Sequence, residues 1–94
     1  TAADRPALEL GRSLDRDDLA PFAPVRVDRT IGDGERLAIG NLRLTAHLTP
    51  GHTRGCVSWT LGFADPRIGG RPLTAVFACS LTVAGQKLVG NARY

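Results

Sequence analysis

The stretch LRLTAHLTPGHTRGCVSWTLGF, residues 42 to 63, decides how this chain is read. In "LRLTAHL" (42–48) Leu42, Leu44, Ala46 and Leu48 take every second place, with Arg43, Thr45 and His47 between them. A period of two places one set on each face of a β-strand. "CVSWTLGF" (56–63) repeats the pattern, with Val57, Trp59, Leu61 and Phe63 on one side. Between the two runs Pro50 fixes φ and Gly51 permits a positive φ, so "TPGHTRG" reads as a sharp, stiff corner carrying the imidazole of His52.

Outward from that pair the strand pattern continues. "VRVDRTI" (25–31) alternates, "GDGE" (32–35) reads as a hairpin turn, and "RLAIGN" as the return strand. "LTAVFACSLTV" (73–83) is an apolar run rich in β-branched residues, long enough for a sheet interior. "DRPALEL" (4–10) reads as the last turns of a helix, with Asp4 placed to cap it, Pro6 suited to its first turn and Gly11 placed to end it. "RSLDRDDLAPFAPV" (12–25) has neither period and is dense in Asp and Pro, as a long loop is. The chain is thus expected to run as a helix end over 1–11, a loop over 12–24, strands over 25–83 and a loop over 84–94. That is an antiparallel meander of about five strands behind a helix stub.

Ninety-four residues make at most one small domain, burying roughly 60–65% of the surface its unfolded chain exposes. A helix that begins at the first residue looks like one that has been cut. No run of about 18 apolar residues is present, so no membrane span is encoded, and no basic-then-apolar leader opens the sequence. The net charge of +3 comes from eleven arginines and one lysine, Lys87, interleaved with nine acidic residues. A nucleic-acid-binding chain clusters such charges on one element and interleaves aromatics, which are 5% here. Nucleic acid and membrane are therefore not expected partners.

Each chemistry-bearing residue has a plain reading beside a functional one. His52 alone is an ordinary polar turn residue or a metal ligand. A catalytic zinc site takes about three protein donors and leaves a position open, and neither H-x-H nor C-x-x-C spacing occurs here. As a self-contained metal protein the chain fails. His47 reads as a strand histidine on the polar face. Cys56 and Cys79 lie in strands that, if paired, bring the thiols within bridging range. A bridge over the 22 intervening residues contributes roughly 3 kcal/mol on the chain-entropy model. Two buried free thiols are the alternative, and a bridge points to an oxidising compartment. Ser80 and Thr82, at i and i+2, turn both hydroxyls to one side of a strand end, where they can donate to a carboxylate or simply be strand residues.

Taken together, "LTAHLTPGHTRGCVSWT" and "VFACSLTVAGQKLVGNARY" resemble the metallo-β-lactamases, specifically subclass B3. The lead-in "LGRS…DRDD…FAPVRVDRTIGDGERLAIGNLRLTAHLTPGHT" is similar to that subclass as well, so the likeness covers essentially the whole chain. "TPGHT" is shared by many metallo-hydrolases of the superfamily; the combination with "GC-SW" and "CSLTVAG" is narrower. The resemblance implies an α/β fold, a piece of the αββα sandwich. It implies that His52 is a zinc ligand, that Ser80 and Thr82 hold the carboxylate of a β-lactam, and that Cys56 and Cys79 match a pair some members bridge.

The implied parent is a periplasmic, antibiotic-resistance enzyme with two zinc ions that hydrolyses the β-lactam amide of a small-molecule substrate. The family's H-x-H-x-D-H motif and a later zinc-ligand histidine are expected beyond the two ends of this sequence, so no catalytic residue lies within it and the segment alone is expected to be inactive. Thioester and lactone hydrolases of the same fold, resembling glyoxalase II, carry "GD" where this chain has Cys79-Ser80. A serine cannot replace that metal-bridging carboxylate, which favours the lactamase branch over a thioester or lactone hydrolase. A non-enzymatic β-rich binding module is the remaining alternative, and it predicts cooperative folding of these residues without metal.

Overall fold

A computed structural model describes residues 1–80 and Gly90. Helix α1 (Arg5–Leu10) precedes strands β1 (Arg36–Ile39), β2 (Leu42–Leu48), β3 (Val57–Ala64) and β4 (Pro72–Phe77). The strands form one antiparallel sheet in chain order.

The β2–β3 pair follows from its alternation. Leu44 faces Leu61, Ala46 faces Trp59 and Leu48 faces Val57. Directly opposed residues share a face, so the apolar members gather on one side. β1 adds Leu37 opposite Leu44 and Ile39 opposite Leu42. β4 adds Phe77 opposite Trp59 and Leu73 opposite Phe63. Leu37, Ile39, Leu44, Trp59 and Phe77 line an apolar depression of about 270 Å³ there. Much of this face is open: Ile39, Leu42, Phe63 and Phe77 are 56%, 50%, 44% and 55% exposed. A sheet of this kind is stable when its apolar face packs on another layer. Burial is concentrated instead at the sheet end beside the corner, in Ala46, Cys56 and Ser58. The opposite face is polar, and there His47 Nε2 lies 2.8 Å from Thr60 Oγ1.

Among the described residues four strands are found where about five were expected, because residues 25–31 do not enter the sheet. The reason lies in "GDGE". It turns the chain, with the Glu35 amide donating to the Gly32 carbonyl at 3.3 Å, but it does not fold 25–31 back onto β1. Its backbone extends the β1–β2 ladder: Gly34 N–H donates to Ala46 O at 2.9 Å, and Ala46 N–H to Glu35 O at 2.8 Å. The Asp33 carboxylate accepts from the Leu48 amide at 2.7 Å. The hairpin proper is made by Gly40-Asn41, which joins Ile39 to its partner Leu42. Gly40 takes φ 56°, a positive value at the first place of a two-residue loop that glycine reaches without strain. Val25 is drawn to the helix, its N–H donating to Leu8 O at 2.9 Å.

Two further expectations need correction. The strand expected over 73–83 ends at Phe77, and the chain bends at Cys79; the Cys79 amide donates to Ser58 Oγ at 3.2 Å, leaving the backbone ladder. Ser80 therefore follows a strand rather than lying in one. Thr82, the end of that expected strand and the loop expected over 84–94, apart from Gly90, fall outside the described residues. At the other end Pro6 sits in the first turn of α1 and Gly11 ends the helix in the left-handed conformation, both as the sequence indicates. Asp4, however, makes no side-chain cap. Among the described residues no helix is long and apolar enough to cross a membrane.

Candidate functional site

The corner spans residues 49–56, between the paired ends Leu48 and Val57. Its base is closed by Thr49 N–H donating to Cys56 O at 2.9 Å and by the hydroxyls of Thr49 and Ser58, 2.8 Å apart. At its tip Gly51 N–H donates to Thr53 O at 3.1 Å, a local turn that encloses His52. Gly51 is not among the glycines with positive φ, so the left-handed freedom the sequence offered there goes unused; Pro50 and the Gly51–Thr53 bond shape the turn. His52 is exposed.

The corner is held from outside by the first residues of the chain. Both oxygens of Asp4 accept hydrogen bonds from it: Oδ2 from Thr53 Oγ1 at 2.7 Å and Oδ1 from the Gly55 amide at 2.8 Å. Thr1 Oγ1 donates to Gly55 O at 3.1 Å. The approach is close enough to require glycine, since a Cβ on Gly55 would lie 2.6 Å from Asp4 Cγ and collide with Thr1 Oγ1. Arg54 pairs with Asp15 of the 12–24 loop at 2.9 Å. Sequence reading missed this role of Asp4, because its partners lie 49 and 51 residues away and the local pattern pointed to a helix cap.

A disulfide joins Cys56 to Cys79, with a Cα–Cα distance of 5.9 Å. The bridged alternative is therefore the one the structure adopts. It fixes the chain immediately before Ser80 to the residue that ends the His52 corner, so both sequence-predicted positions occupy one end of the sheet. Ser80 is half-buried.

Imidazole is a fitting donor for zinc, whose protein ligands are chiefly His nitrogen, Cys sulfur and carboxylate oxygen. His47 is turned to Thr60 on the strand face, and both cysteines are bridged. No group of three or more His, Cys, Asp or Glu able to hold a metal exists among the described residues. These residues fit one ligand position of a zinc site and do not by themselves complete one.

Comparison with solved structures identifies what this corner and sheet belong to. BJP-1, a subclass B3 metallo-β-lactamase of Bradyrhizobium japonicum, is 41% identical over 98% of this chain and 34% of its own, with a TM-score of 0.75. The chain is similar to the subclass B3 metallo-β-lactamases over nearly its whole length. FEZ-1, the metallo-β-lactamase from Legionella gormanii, is 39% identical over 98% of this chain and 36% of its own, with a TM-score of 0.77. A metallo-β-lactamase of Cronobacter sakazakii is 32% identical over 100% of this chain and 35% of its own, with a TM-score of 0.73. The chain thus spans about a third of the length of these enzymes. No family model matches the sequence. The four-stranded sheet with its helix stub corresponds to part of the metallo-β-lactamase fold.

Proposed function

We propose that this chain is part of a zinc-dependent hydrolase that opens the β-lactam amide of antibiotics in the periplasm, conferring resistance. The observation that carries the reading is 41% identity to a subclass B3 metallo-β-lactamase, maintained over 98% of the chain with a TM-score of 0.75. Two zinc ions, when bound, would supply a water acidic enough to attack at neutral pH and polarise the carbonyl under attack.

The residues of this chain bind and orient. His52 donates one imidazole nitrogen toward the metal from the clamped corner. Ser80 and Thr82 donate their hydroxyls to the substrate carboxylate and so set the angle at which the amide meets its nucleophile, a positioning contribution. None of them is a general base or a nucleophile. The remaining ligands come from residues other than these, and the segment alone turns over no substrate. The Cys79-Ser80 pair supports the lactamase branch over thioester and lactone hydrolases, since serine lacks the carboxylate that would bridge two metals.

Replacing His52 by alanine in the intact gene product tests this. Hydrolysis of a penicillin and a carbapenem should fall sharply, together with the zinc content of the purified protein. Unchanged turnover and unchanged zinc would overturn the assignment, and lactone turnover without β-lactam cleavage in the wild-type protein would reassign the substrate.

A further inference from the structure

We infer that Asp4 is the positioning residue of the His52 corner, holding the imidazole at its ligand position through Thr53 and Gly55. The inference rests on His52 being a metal ligand, as proposed above. Between its closed base at Thr49 and Cys56 and its tip at His52, the corner is a hydrogen-bonded turn projecting from a sheet end. Metal coordination tolerates errors of only about 0.2 Å in distance, so a ligand-bearing turn has to be held in place.

Asp4 ties the corner at two points. One carboxylate oxygen is committed to the hydroxyl of Thr53, next to His52, and the other to the amide of Gly55. Two bonds from one planar group to two points of a loop fix its orientation as well as its distance, and a charged acceptor makes each of them stronger than a neutral pair. Position 55 shows the same demand from the other side, because any side chain there would occupy the space of Thr1 and Asp4. At the start of α1 an aspartate would ordinarily cap the helix, but Asp4 makes no such bond; its hydrogen-bonding capacity faces the corner.

The test uses the full-length protein, with zinc affinity measured by competition with a chromogenic chelator and the thermal midpoint measured after zinc removal. Asp4→Ala should weaken zinc about 10–100-fold, as loss of an orienting group behind a ligand does. Asp4→Asn should restore affinity close to wild type: its Oδ1 still accepts from Gly55, and its Nδ2 donates to Thr53 Oγ1. Thr53→Val, which removes one of the two bonds, should fall between. If Asp4→Ala yields no soluble protein, Thr53→Val decides. Lowered thermal midpoints with zinc affinity unchanged would reduce Asp4 to a structural strut and overturn the inference. His52→Ala separates the two readings. If it leaves zinc binding intact, the ligand assignment fails; if it weakens zinc while Asp4→Ala and Thr53→Val do not, only the role of Asp4 falls.

Discussion

Removing the bridge with Cys56→Ala and Cys79→Ala should lower the stability of the full-length protein by about 3 kcal/mol. The magnitude follows from the cross-link's span. A sequence separation of 23, entered in the chain-entropy relation, gives a loss of roughly 11 cal/mol/K, or about 3.4 kcal/mol at 25 °C. The native side of the balance adds little. Cys79 is exposed and Cys56, though 2% exposed, is a small side chain, so alanine leaves only a small void where the sulfur was. Alanine is preferred to serine because a hydroxyl at position 56 would be buried without an assigned partner. Urea unfolding with linear extrapolation reads the difference directly. Amide exchange adds a local readout: the Thr49 amide, bonded to Cys56 O, and the Cys79 amide, bonded to Ser58 Oγ, should lose protection first. A loss below about 1 kcal/mol, outside the typical range for such a loop, with both amides still protected, would refute the idea that the bridge holds the Ser80 segment against the corner.

Two other outcomes are expected. The 94-residue chain prepared alone should bind a hydrophobic dye and associate, because Ile39, Leu42, Phe63 and Phe77 stand open on one face; a soluble monomer with a sharp unfolding transition would contradict this. Glu35 should titrate below the ordinary glutamate value of about 4.3, since the Gly32 amide, joined by Arg29, favours its charged form. A depressed carboxyl contributes stability above its unfolded pKa and loses it as pH falls through the folded value. The Gly32 amide shift should therefore hold steady from pH 7 to about 5 and move only below the ordinary value; a midpoint at or above that value would count against the turn described.

The β2–β3 pair was legible because alternation is a local signal and both runs are bounded by turn residues, and β4 was legible as an apolar run rich in β-branched residues. "VRVDRTI" carried the same signal and misled, since alternation reports a preference for extended backbone, while sheet membership needs a partner edge. "GDGE" directed that edge elsewhere by adding its own amides to the β1–β2 ladder. Within the candidate site, the corner that carries His52 was legible from its Pro-Gly setting, and the cysteine pair was legible as one of two alternatives. The Asp4 clamp was not legible. Hydrogen bonds spanning 49 and 51 residues leave no periodicity, and a lone aspartate before a proline has a sufficient local explanation as a cap.

The same long span has a consequence for how the molecule assembles. The hairpin joining β2 and β3 closes over only eight residues and is available early, whereas Asp4 must return across some fifty residues after that hairpin exists. Contacts of high sequence separation are reached late, because chain closure must be accomplished before they reward it. The corner at residues 49–56 is thus carried on an early-formed ribbon but is clamped only in a late docking step. A folding chain would hold the β2–β3 hairpin before it holds the clamped corner.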